Sequence, residues 1–326
     1  MFRKAVLLPV AITFVFSALL LGLMPSCTTP VMGRIGLIYI EGVITSGKQY
    51  ESLFVTGGVT SDHIVEVVRQ AIDDPGIKAL VVRINSPGGS AAASQEIYAA
   101  FKKFSDTGRP VIVSMADVAA SGGYYISSPA DEIFADPATL TGSIGVVMQL
   151  VNYEGLYDIV GLSDTTIKAG KFKDIGSPTR PMTDEEKKLL QGMLDQVHKQ
   201  FKDAVMEGRG FTQEQIDEIA TGMIFNGEEA VANGLVDKLG GLQDAIDRAA
   251  ELTKLGPRPV IDELGKTGLL DQLMEDMSTA KGPSGGIDSA VGETLNAISG
   301  GNPFYRLWSM ALLDPRFVGK GAGIQY

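Results

Sequence analysis

Cysteine is almost missing from this 326-residue chain: Cys27 stands alone, so no intramolecular disulfide and no cysteine-based zinc set can form. Histidine is nearly as scarce. His63 and His198 both fall in stretches with helical apolar spacing, away from the loops at strand ends, which makes them poor general bases while leaving a Ser-His-Asp arrangement formally open. Basic residues are also short, with 28 Lys and Arg against 39 Asp and Glu and a net charge of −11. A phosphate backbone is bound through clustered Lys and Arg, so nucleic acid is set aside as a partner. Tandem repeats and a Walker-type phosphate loop are missing as well. What is present is 44% hydrophobic residues, enough for a large core in one long domain or two smaller ones.

The N-terminus is the first distinctive segment. Arg3 and Lys4 precede an apolar run over residues 5–24, which gives way to polar Pro25-Ser26-Cys27-Thr28-Thr29. About 20 residues suffice to cross a hydrocarbon core of roughly 30 Å, and exceed a signal-peptide core of about 7 to 15 residues. An uncleaved anchor is the first expectation and a signal segment the second. Positive residues on the N-terminal side place that end in the cytoplasm and the remaining chain outside it. Cys27, just past the run, reads equally as a lipidation site or as an incidental thiol.

From residue 34 short apolar strands alternate with amphipathic helices, the pattern of an α/β domain with a largely parallel sheet. Strands are expected at 34–40, 77–84, 111–115, 132–135, 143–148 and 166–168. A helix capped by Thr60 or Ser61 carries Ile64, Val67, Val68, Ala71 and Ile72 at helical spacing and ends at Asp74-Pro75-Gly76. Thr183 and Glu186 form a capping box for a long helix to about residue 207. Past Gly256-Pro257 the composition shifts to Gly, Ser and Pro, dividing the chain into a membrane segment (1–30), a catalytic domain (31–256) and a tail (257–326). The tail ends in an apolar and basic stretch at 304–313 with the only Trp, suited to a terminal helix, a neighbouring subunit or a membrane interface.

Two small-residue turns follow buried strands, where sites in α/β folds gather. Ser121 in Ala120-Ser121-Gly122-Gly123 stands at a helix N-terminus beside free backbone N–H groups, as a nucleophile requires, although position alone favours an ordinary cap. The Gly122 N–H, with that of Gly88 or Gly89 in Asn85-Ser86-Pro87-Gly88-Gly89, supplies a candidate oxyanion hole. With histidine disfavoured, attention moves to a lysine whose ammonium is disfavoured by burial. Lys171 and Lys173 both lie in Ala169-Gly170-Lys171-Phe172-Lys173-Asp174, and alternation cannot separate them because they are two apart. Ser143 in Thr141-Gly142-Ser143 is a third polar residue, able to orient a lysine or simply to serve a turn.

Taken together, Ile84-Asn85-Ser86-Pro87-Gly88-Gly89, Ala120-Ser121-Gly122-Gly123-Tyr124-Tyr125, Leu140-Thr141-Gly142-Ser143-Ile144-Gly145, residues 170–178 and Ile224-Phe225-Asn226-Gly227-Glu228-Glu229-Ala230 resemble the signal peptide peptidase A (protease IV) family. The resemblance runs in family order over roughly residues 34–250. It implies a ClpP/crotonase-like fold of repeated β-β-α units and a Ser/Lys dyad of Ser121 and Lys173. It further implies that Ser143 positions the lysine and that Gly88 and Gly89 help to form the oxyanion hole. One copy of each motif matches the short, single-domain form, which assembles into homo-oligomeric rings whose adjacent subunits complete the groove or the dyad.

The implied activity is serine endopeptidase cleavage of signal peptide remnants and other membrane or extracytoplasmic peptides, by a protein tethered to the bacterial cytoplasmic membrane with its catalytic domain outside. Such a mechanism needs no metal and no organic cofactor. Lys171 is an added charge beside the family's aromatic-lysine pair. Two rivals remain: a crotonase-like acyl-CoA enzyme, disfavoured by the N-terminal segment and the Ser/Lys pairing, and an inactive peptidase-like scaffold.

Overall fold

A computed structural model describes residues 33–47 and 58–265. The apolar run 5–24, Cys27 and the stretch 304–313 lie outside the described residues. Among those described, no helix is long and apolar enough to cross a membrane.

The strands are β1 (Arg34–Glu41), β2 (Ile44–Thr45), β3 (Val59–Thr60), β4 (Ile77–Ser86), β5 (Val111–Ala120), β6 (Glu132–Ala135), β7 (Leu140–Gly142), β8 (Ile224–Phe225), β9 (Lys238–Leu239) and β10 (Val260–Glu263). The helices are α1 (Ser61–Asp73), α2 (Ala91–Ser105), α3 (Gly122–Ser127), α4 (Glu154–Val160), α5 (Asp184–Arg209), α6 (Gln213–Ile219), α7 (Gly227–Ala232) and α8 (Leu242–Thr253). An eight-stranded sheet has a parallel path β10-β1-β4-β5-β6-β9, as the alternating pattern predicts, with β7 joined in parallel to β5 and β8 antiparallel to β7. Its inner strands are covered on both faces. Leu80, Val82 and Ile84 of β4 enter one apolar cluster with α1, α2 and α3, while Ala79 and Val81 enter another beneath α8, following the two-residue period of a strand.

One detail of this sheet builds the site. The first half of β5 pairs with β6, and its last residues, Val118 to Ala120, pair with β7 instead. The C-terminal ends of β4, β5 and β7 therefore converge, and three small-residue turns meet there. Thr141 Oγ1 donates to the Ala119 carbonyl at 2.7 Å and locks the β5–β7 pair.

The structure departs from the sequence reading in three places. Residues 143–148 and 166–168 are not strands. Their β-branched residues fit a strand locally, but no neighbouring strand pairs with them, and Val147 and Ile167 are 82% and 96% exposed. Third, the sheet does not stop at residue 256: β10 pairs with β1 in register from Arg34↔Val260 to Leu37↔Glu263. The Gly-Pro signal there marks a turn before an edge strand rather than the end of the fold.

Residues 147–182 form an arm. From 147 to 170 all are exposed except the half-buried Glu154 and Tyr157, and α4 buries none of its seven residues. The limbs of the arm are joined by a hydrogen bond from the Tyr153 N–H to the Pro178 carbonyl at 2.8 Å and one from Thr179 Oγ1 to Asp164 at 2.7 Å. The arm returns to the body through α5, whose capping box is present as predicted: Thr183 accepts from the Glu186 N–H, and Glu186 accepts from the Thr183 N–H. Only the second half of α5 reaches the core, through Phe201, Ala204 and Val205.

Candidate active site

Ser121 is the residue at which β5 turns into α3. It holds φ 52° and ψ −118°, a conformation that L side chains rarely adopt and that costs about 1–3 kcal/mol. The turn is pinned on both sides: the Ser121 N–H donates to the Gly142 carbonyl and its carbonyl accepts from the Tyr125 N–H, each at 2.9 Å. A strained strand-to-helix turn of this kind lifts a serine hydroxyl out of the backbone and presents it to a cleft.

Ser143 repeats the device. Ala120 and Gly142 are paired in register, so Ser121 and Ser143 leave their strands side by side, and Ser143 has φ 51°. Its N–H donates to the Met223 carbonyl at 2.7 Å.

The turn after β4 lies against both. The Gly88 N–H donates to Ser86 Oγ at 3.1 Å. Gly89 bridges to Ile44, with the Gly88 carbonyl accepting from Ile44 N–H and the Ser90 N–H donating to Ile44, so the Gly89 N–H faces the opposite way. A Cβ on Gly89 would lie 2.0 Å from the Ile44 carbonyl oxygen, which bars any other residue. On Gly122 a Cβ would come within 3.2 Å of the Gly89 nitrogen, so these two amides flank one small space. As the first residue of α3, Gly122 has no intrahelical acceptor for its N–H.

These groups open into a cavity of about 550 Å³ lined by Gly89, Ser121, Gly122 and Ser143. Its apolar wall includes Tyr125, Val146, Val147, Val197 and Phe201. Tyr125 is wedged between rings, edge-on to Tyr98 at 5.4 Å and tilted against Phe201 at 4.9 Å. Burial pushes its phenol pKa up, keeping it neutral.

Sequence reasoning sets His198 aside as a helix residue away from the strand ends, and the structure places it at the cavity. Helix α5 turns the same face that buries Phe201 toward the strand ends, and His198 lines the cavity with its Nε2 buried and without a hydrogen-bond partner among the described residues. The signal was its place one turn before Phe201, on the side of α5 that packs inward.

Neither lysine lines the cavity. Lys173 is exposed in a turn of the arm, its N–H bonded to the Gly170 carbonyl at 3.2 Å, and Lys171 is ion-paired with Glu185. A single chain thus brings together Ser121, Ser143, Gly88, Gly89 and Gly122 but leaves Lys173 apart. Chemically, this equips the cavity to hold a carbonyl oxygen against amides beside a hydroxyl, the arrangement for serine-dependent acyl transfer.

The comparisons agree with that class. A model described as Peptidase family S49 matches residues 103–256. "Protease 4" of Salmonella typhi is 39% identical over 246 residues, covering 76% of this chain and 39% of that protein. A putative protease of Synechocystis sp. is 40% identical over 215 residues, covering 65% of this chain and 77% of the other. The "Putative signal peptide peptidase SppA" of Enterococcus faecium is 34% identical over 229 residues, 70% and 66% of the two chains. The chain belongs to peptidase family S49. It spans about two fifths of the length of the Salmonella protein.

Proposed function

We propose that this protein is a serine endopeptidase with a ClpP/crotonase-like fold, whose nucleophile, Ser121, is activated by Lys173 delivered on the arm of a second copy of the chain. The observation that carries the reading is the separation of the two groups: the strained serine sits in a cavity that no lysine among the described residues lines, and Lys173 sits on an arm with Ile159 83% exposed and Ile167 96% exposed. Apolar side chains left in water on one arm mark a surface that another protein covers. A second copy both covers the arm and completes the site, in keeping with a closed homo-oligomeric ring.

In the reaction, the Lys173 amine takes the Ser121 proton as the hydroxyl oxygen attacks the peptide carbonyl. The oxyanion is held by the Gly89 and Gly122 N–H groups, while Gly88, whose N–H is given to Ser86, shapes the turn. The lysine hands its proton to the departing amine, leaving an acyl ester on Ser121. Water then loses a proton to the same amine and releases the acid. Ser143 orients the amine by a hydrogen bond. The apolar wall from Val146 to Phe201 suits small and aliphatic side chains, as in signal peptide remnants, and the N-terminal apolar run tethers the protein to the membrane with its catalytic domain outside the cytoplasm.

Mixing two inactive variants tests the reading. Ser121→Ala and Lys173→Ala should each fail to cleave a fluorogenic apolar peptide, whereas co-assembled chains should recover about a quarter of wild-type activity, because each site needs an intact serine from one copy and an intact lysine from its neighbour. No recovery in mixed oligomers puts the dyad within one chain. Activity retained by Lys173→Ala but lost in His198→Ala makes the histidine the base, and a folded, oligomeric wild type that cleaves nothing favours a scaffold.

A further inference from the structure

A base on an exposed arm has no core to hold it, yet the Lys173 turn is anchored by charge. Arg180 uses all three of its guanidinium nitrogens. Its Nε donates to Asp174 Oδ2 at 2.9 Å and its Nη2 to the Asp174 carbonyl at 3.1 Å. Its Nη1 and Nη2 also reach the two Glu186 oxygens at 2.9 and 2.5 Å, and Nη1 donates to the Pro181 carbonyl at 3.0 Å. Both carboxylates are sheltered, with Asp174 12% and Glu186 4% exposed. Glu186 is itself fixed by the Thr183 N–H at 2.9 Å and hydroxyl at 3.1 Å, so the chain of contacts runs from the residue beside Lys173 to the first turn of α5. Lys168 takes the other Asp174 oxygen.

We propose that Arg180 is a positioning residue for Lys173, fixing the turn that carries it and cancelling the Asp174 charge next to it. The proposal rests on Lys173 being the base. Two consequences follow from elementary electrostatics. A forked, bidentate guanidinium fixes direction as well as distance, which a point-like ammonium does not. Without Arg180, Asp174 and Glu186 share only Lys168 between them, and the net negative charge left beside the base favours its ammonium form and so removes it. The other charges around the turn are already matched: Lys171 with Glu185, Lys168 with Asp174, and Asp164 held by Thr179.

The test is kcat/KM against pH for the full chain in its assembled state, with Arg180→Gln, Arg180→Lys, Asp174→Asn and Lys173→Ala. Arg180→Gln should lower kcat more than it raises KM and move the acid limb of the profile up by about one pH unit. Asp174→Asn should move that limb down, and Arg180→Lys should keep it in place while recovering only part of kcat. Opposite shifts from two variants that break the same contact are not produced by a loosened structure, and the asparagine and lysine variants decide the matter should Arg180→Gln fail to assemble. Wild-type kcat and an unmoved limb in Arg180→Gln, alongside an inactive Lys173→Ala, overturn the positioning role alone. Full activity in Lys173→Ala overturns both it and the reading on which it rests.

Discussion

In the body of the molecule Ala79 to Val82 and Val111 to Met115 are buried residue after residue, while in the arm α4 buries nothing and Val147, Ile159 and Ile167 lie in water. The body holds the serine and the arm carries the lysine. The contrast teaches where each part's order originates. The body is self-sufficient, since two apolar clusters clamp its sheet from both faces and can afford the strain at Ser121. The arm is ordered by polar links, chiefly Arg180, Asp174 and Glu186, and its apolar residues contribute no core of their own.

The largest effect that separates the two regions is on activity. Ser121→Ala should lower kcat by at least about 10³-fold with the fold and assembly unchanged, because in the proposed mechanism the substitution removes only the attacking oxygen. Next come paired disruptions of each region's own packing. Leu80→Ala, in the buried sheet, should cost about 2–5 kcal/mol in urea unfolding. Ile159→Asp, on the arm, should change the stability of the isolated chain by no more than about 0.5 kcal/mol, yet shift the protein toward monomers and lower activity in proportion. An arm variant that unfolds the chain, or one that leaves assembly untouched, removes the distinction between body and arm.

Acid should loosen the arm through its charges. Hydrogen bonds from Arg180, then the Thr183 N–H, hold the Glu186 carboxyl down to about 2 from its ordinary 4.5, and Arg180 with Lys168 hold Asp174 well below its usual range. Both pKa values are depressed by folding, so their contribution is complete above the ordinary carboxylate range and is lost as pH falls from about 4.5 toward 2. Amide exchange, corrected for its intrinsic pH dependence, should show residues 170–186 losing protection across that window. Equal protection at both ends would mean that the ion pairs do not order the arm.

Much of the body was legible because its signals are local. Buried strands followed by Ser86-Pro87-Gly88-Gly89 and Ala120-Ser121-Gly122-Gly123 gave both turns, and Thr183 with Glu186 gave the start of α5. The arm was not legible, because Thr166-Ile167-Lys168 has strand-like residues and lacks only a pairing partner, which is a tertiary fact. His198 was misread for a related reason: its helix was found, but which face of that helix looks into the cavity depends on Phe201 packing on Tyr125. Arg180 gave no signal by itself, since its partners are defined by the path of the arm.

The smallest effect concerns the two serines whose backbones share positive φ, Ser121 and Ser143. Glycine reaches that conformation without a Cβ penalty, whereas alanine keeps the penalty and loses only the hydroxyl. At a fixed protein concentration Ser121→Gly should therefore be more stable than Ser121→Ala by about 1 kcal/mol, with both inactive, and Ser143→Gly should exceed Ser143→Ala by a similar amount. The pairs differ in what activity reports. If Ser143 orients the lysine, both of its variants lose kcat even where glycine raises the unfolding midpoint, so stability and activity move apart. Stabilised and fully active Ser143→Gly would instead make Ser143 a residue of the turn alone, and leave Ser121 as the only serine whose strain is tied to the chemistry.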